Sequence, residues 1–118
     1  MKDRNKVKKQ HILRRQIRTR AKIKGTDVKP RVSVFRSLNH ISVQAIDDVK
    51  KVTLVAASDK ETKTKGTKTE VAVVVGELMG KKLNEKKINY IVFDKGAYKY
   101  HGRVKALAEG IRKAGINF

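Results

Sequence analysis

At 118 residues the chain has room for one domain and one modest core. Hydrophobic residues make up 39% of it but aromatics only 5%, so that core must be aliphatic, and the absence of Cys excludes disulfides, thiolate metal sites and a cysteine nucleophile. Against 11 Asp and Glu stand 30 Lys and Arg, a formal net charge of +19; a small domain needs only about 2–8 for solubility, so the excess calls for a polyanionic partner.

The charge is uneven. Residues 1–31 hold 13 basic and two acidic residues, whereas residues 32–118 hold 17 basic and nine acidic ones. This divides the chain into a basic arm, residues 1–30, and a milder body, residues 31–118, and points to nucleic acid. No apolar run approaches the roughly 20 residues a membrane span requires, and the first residues lack the apolar core of a signal peptide. Residues 1–24 also lack the serines of a transit peptide. The expected setting is soluble, reducing and cytoplasmic, with no membrane partner.

In chain order, residues 4–24 give a thin helical stripe, Leu13, Ile17 and Ala21, with Lys8, Lys9, Arg14, Arg15, Arg18 and Arg20 on the other faces. So narrow a stripe packs weakly, and Arg14 and Arg18 repel at i, i+4, which predicts a helix ordered on a phosphate surface. Gly25 is expected to cap it, with Pro30 forcing extended geometry. The period then changes to two. "RVSVFR" places Val32 and Val34 on one face, and "HISVQAI" does the same for Ile41, Val43 and Ala45. With "SLN" and "DDVKK" as turns and "VTLVAAS" (52–58) as a third strand, an antiparallel meander is predicted.

Residues 59–70 contain no apolar side chain and read as a solvated loop. Thr67 and Glu70 have capping-box spacing, which predicts a helix over 68–86 with Val71, Val74, Val75, Leu78 and Met79 as its stripe. The run "VAVVV" alone would also suit a buried strand; length and the cap favour the helix. "NYIVFD" (89–94) reads as a fourth strand, reached by a right-handed crossover from the third. Val104, Leu107, Ala108 and Ile111 mark a last helix that Gly115 stops. The predicted fold class is α/β: a small mixed sheet, three strands in a meander plus one after a helical crossover, with packed helices and a basic N-terminal helical arm.

Catalysis finds little support. Asp47, Asp48 and Asp94, with Glu70, offer carboxylates for a metal-dependent nuclease, but Asp47 and Asp48 fit a turn and Glu70 a cap. His101 has no evident partner, and His11 and His40 have no ligand spacing, so neither metal nor cofactor is implied. Binding is better supported. Arg14, Arg15, Arg18 and Arg20 can form charge-assisted bonds to phosphate. Arg36, Ser37, Asn39 and His40 cluster on one hairpin loop, where contacts are often mounted. In "KGAYKYHGRVKALAEG" (95–110), Tyr98, Tyr100 and His101 can stack on bases beside Arg103 at a helix start. No DNA-binding motif, GXXG loop or RRM signature occurs, so the residues point to folded RNA.

The stretches "PRVSVFRSLNHISVQAIDD" and "VFDKGAYKYHGRVKALAEGIRKAGINF" closely resemble the family of bacterial large-subunit ribosomal protein eighteen, over nearly the whole chain. The resemblance implies a non-enzymatic structural protein that binds 5S rRNA, helps attach it to 23S rRNA in the central protuberance, and adjoins other ribosomal proteins there. It also implies RNA contacts at Arg31, Arg36, Ser37, Asn39, His40 and the Tyr98–Arg103 tract, with Lys95 standing where relatives commonly have Arg. Ser42 stands where they often have Tyr, leaving Phe35 as the only aromatic on the second sheet face.

Overall fold

A computed structural model describes the backbone of residues 4–20, 23–63 and 65–118, and the side chains from Val7 onward in those segments except Thr19 and Arg20. The expectations for Ala21 and for the Arg20 side chain lie outside the described residues. The elements run α1 (Arg4–Arg20), β1 (Arg31–Arg36), β2 (Ile41–Asp47), β3 (Val52–Ser58), α2 (Asp59–Thr62), α3 (Lys68–Glu85), β4 (Val92–Asp94) and α4 (Arg103–Lys113).

The alternation in β1 and β2 produces one apolar sheet face. Val32, Val34, Ile41, Val43 and Ala45 are all buried there, joined by Val55 and Ala57 of β3. Strands β1, β2 and β3 pair antiparallel, and β4 adds parallel to β1, giving the order β3-β2-β1-β4. The crossover through α3 therefore spans the sheet, leaving β3 at one edge and delivering β4 to the other. The capping box forms as the spacing predicts: Glu70 N–H donates to Thr67 Oγ1 at 3.2 Å and Thr67 N–H to Glu70 Oε2 at 3.3 Å. The buried line of α3 is Ala72, Val75, Met79 and Leu83, while Val71 and Leu78 are only partly covered. On α4, Val104, Leu107, Ala108 and Ile111 are fully buried. At about 1.5–3 kcal/mol for each large aliphatic side chain buried, this helix-on-sheet layer is the main stabilising term. Among the described residues, no helix is long and apolar enough to cross a membrane.

Glycine sets the helix–helix distance. Gly76 of α3 and Gly110 of α4 face one another so closely that a Cβ on Gly76 would overlap the Leu107 carbonyl, and one on Gly110 the Val73 carbonyl. Only glycine permits that approach.

Several expectations need correction. Residues 59–62 form one helical turn, α2, rather than open loop, held to α3 by Lys82 Nζ bonding Glu61 Oε2 at 2.8 Å. That bond holds the Glu61 carboxyl below its ordinary range. The fourth strand shortens to three residues, since β1 begins at Arg31 opposite Val92, and Tyr90 bridges in parallel to Asn117 instead. There Asn117 N–H donates to Asn89 O at 2.9 Å and Ile91 N–H to Asn117 O at 3.2 Å. Gly25 does not act as a helix cap. It is stitched to the β2–β3 turn, donating to Asp48 Oδ2 at 2.7 Å and accepting from Asp48 N–H at 3.0 Å, so the body's contacts begin before residue 31. The α1 stripe is also displaced: Leu13 and Ile17 are 54% and 59% exposed, and Val7, Ile12 and Gln16 are the half-buried positions among the described side chains.

Candidate nucleic-acid interface

The β1–β2 hairpin carries Arg36, Ser37, Leu38, Asn39 and His40 at its exposed tip. Short local bonds close the turn: Ser37 N–H to His40 O at 2.8 Å and His40 N–H to Ser37 Oγ at 3.1 Å. Three tethers from distant segments then immobilise it. Tyr98 Oη accepts from Arg36 N–H at 3.2 Å and donates to Arg36 O at 3.3 Å. Arg103 Nη1 donates to Ser37 O at 2.8 Å. His40 Nδ1 lies 3.0 Å from Asp59 Oδ2. A loop tied at both shoulders presents its side chains with little ordering entropy left to lose on binding.

The 95–103 tract is a series of turns. Asp94 Oδ1 accepts Gly96 N–H at 2.8 Å, Tyr98 N–H reaches Lys95 O at 3.2 Å, and Gly102, at φ 57°, swings the chain into α4. Its two tyrosines are already engaged. Tyr98 packs against the core with the Arg36 guanidinium 5.0 Å above its ring. Tyr100, 41% exposed, sets its ring edge-on to Phe93 at 6.0 Å and its hydroxyl 3.4 Å from Arg112 Nη1. Lys95 and His101 are exposed, and Arg103 is half-buried.

Helix α1 faces this tract. A cleft of about 660 Å³ lies between Ile12, Arg15 and Gln16 on the helix and Arg36, Ala97 and Tyr98 on the body, with Lys99 and His101 on its rim. A second recess of about 600 Å³ opens on the other side of the same Arg36–Tyr98 pair, walled by Lys8, Lys68, Leu38 and Arg103. Among the described residues, no Asp or Glu lines either one. Lys9, Arg14 and Arg18 are exposed on α1 outside these recesses.

Against this geometry, the chain matches the family model described as "Ribosomal L18 of archaea, bacteria, mitoch. and chloroplast" over residues 6–118. It is 55% identical over 107 residues to the large ribosomal subunit protein uL18 of Clostridium perfringens (strain SM101 / Type A), covering 89% of this chain and 90% of that protein. It is 51% identical over 117 residues to the uL18 of Limosilactobacillus reuteri (strain DSM 20016), covering 98% and 96%. The chain belongs to the ribosomal L18 family.

One residue of the predicted contact set is engaged inside the body. Arg31 is 9% exposed and bridges two acids inside the body. Its Nε and Nη2 reach Asp48 Oδ2 and Oδ1 at 2.9 and 3.0 Å, and its Nη1 reaches Asp94 Oδ2 at 2.8 Å. Hydrogen bonding to Asp48, opposed in part by burial, raises the guanidinium above its ordinary pKa. Arg31 therefore fastens β1 to the β2–β3 turn and to β4 rather than presenting its charge outward. The same geometry engages the carboxylates of the metal-nuclease alternative in other bonds. A guanidinium sits between Asp48 and Asp94, and Asp47 Oδ1 accepts Val49 N–H and Lys50 N–H at 2.9 and 3.2 Å. Among the described residues, no three acidic or histidine side chains form a metal-holding group.

Lys68, Lys99 and Leu38 escaped sequence reasoning. Lys68 carried a signal: it opens α3, where the helix dipole disfavours a cation unless an anion is near. Leu38, 81% exposed at the hairpin tip, carried none, since single exposed apolar side chains are ordinary. Lys99 had no distinguishing pattern.

Proposed function

We propose that the chain is a structural RNA-binding protein of the large ribosomal subunit that binds 5S rRNA and helps attach it to 23S rRNA in the central protuberance, beside neighbouring ribosomal proteins. The observation that carries this reading is the pair of recesses flanking Arg36 and Tyr98, lined by no acid among the described residues, between a cationic helix and a triply tethered hairpin. The arm, residues 1–30, supplies phosphate affinity through Lys8, Lys9, Arg14, Arg15, Arg18 and Arg20. The body, residues 31–118, reads RNA shape through Arg36, Ser37, Asn39, His40, Lys95, His101 and Arg103, on a frame that Tyr98 and Tyr100 hold. Phosphate contacts of this kind position the protein, and a rigid loop set against irregular RNA supplies selectivity. Family membership supports the ribosomal setting.

The test is competition binding of 5S rRNA against a transfer RNA through a salt series. A preference for 5S rRNA that persists as salt rises is expected, because shape recognition is screened less than phosphate attraction. Equal binding of both RNAs that collapses with salt would contradict the reading.

A further inference from the structure

We infer that the Arg36 guanidinium, backed by the Tyr98 ring, is a stacking platform for one unpaired nucleotide; this rests on the RNA-binding reading and specifies how that site works. Tyr98 is a poor platform itself, since its ring packs against the core and carries Arg36 at 5.0 Å. The arginine is better placed. Its backbone is fixed at both N–H and C=O by the Tyr98 hydroxyl, and its side chain is exposed. A guanidinium held over an aromatic ring by cation–π attraction leaves its far side for a second ring.

The surroundings suit a base rather than a phosphate alone. Both recesses meet at Arg36, and their volumes of about 660 and 600 Å³ fall within the range of small-molecule sites. Ile12 and Ala97 give one an apolar wall, and Leu38 does so for the other, while Lys8, Lys68 and Lys99 stand ready for flanking phosphates. Bases inside a helix have their faces covered by neighbours, so the guanidinium plane can take only a base that has left the stack.

Arg36→Lys separates the two roles, because it keeps the charge and removes the plane. Arg36 is exposed, so the exchange leaves the core intact. The experiment is nucleotide-resolution probing of 5S rRNA, at base faces, 2′-hydroxyls and backbone, with saturating wild-type or Arg36→Lys protein. At least one unpaired nucleotide shielded by the wild type should react again with the variant while the backbone footprint stays, and affinity should fall about five-fold or more. Identical reactivity at every unpaired nucleotide would overturn the platform while leaving 5S binding intact. No footprint from either protein would overturn the 5S reading and the platform together.

Discussion

Gly110→Ala should lower the melting temperature by roughly 4–12 °C, the opposite of what helix propensity predicts. In an exposed helix interior, exchanging Gly for Ala stabilises by about 1 kcal/mol. Here the new methyl would overlap the Val73 carbonyl and press on the Glu77 amide and Gly76 Cα, each 3.1 Å away. These are backbone atoms, so no rotamer change relieves them, and α3 and α4 must separate. Overpacking typically costs about 1–3 kcal/mol and occasionally more, against a total stability of roughly 5–15 kcal/mol. For a domain of this size each 1 kcal/mol moves the midpoint by about 4 °C. Thermal unfolding followed by circular dichroism checks the sign. A melting temperature equal to or above that of the wild type would show that the helices are not in close contact at this point.

Arg31→Met should destabilise the body by about 3–5 kcal/mol, the range for removing one partner of a buried ion pair. The reason is what stays behind. Asp94 is fully buried and loses its guanidinium partner, whereas the Asp48 side chain keeps 26% exposure and can be solvated. A double variant, Arg31→Met with Asp94→Asn, should recover part of the loss, since it removes the buried negative charge. Denaturant unfolding of the three proteins is the measurement. A single variant as stable as the wild type would mean that Arg31 is not the clamp joining β1 to its neighbours.

These two predictions mark where the sequence was legible and where it was not. Local periodicity exposed the apolar faces of β1 and β2, the Val104–Ile111 stripe of α4 and the Thr67–Glu70 cap, because each is a pattern within a few residues. Features made by distant partners left no such trace. A single bridge from Asn117 to Tyr90 has no period, and α2 depends on a bond from Lys82, more than 20 residues away in the chain. The family resemblance alone marks Arg31, as an RNA contact, since composition cannot show that a charge meets carboxylates in space. In a chain this basic, the rarity of acids was the better clue: Asp48 and Asp94 bind Arg31, Asp59 holds the hairpin through His40, and Glu70 caps α3. For α1, the period was right but the face was displaced. Leu13 and Ile17 share a stripe, yet Ile12 and Gln16 turn toward the body, where the cleft needs one modest apolar contact beside Arg15.

The central claim is that the body selects the RNA while the arm holds phosphate. The most direct measurement compares the full chain with one lacking residues 1–20, which carry nine basic residues, for binding to 5S rRNA and to transfer RNA across a salt series. Each phosphate contact contributes about 0.7–0.9 to the slope of log affinity against log salt. The shortened chain should therefore bind more weakly, with a slope flatter by several units, and still prefer 5S rRNA. Loss of that preference along with the arm, or an unchanged slope, would contradict the account.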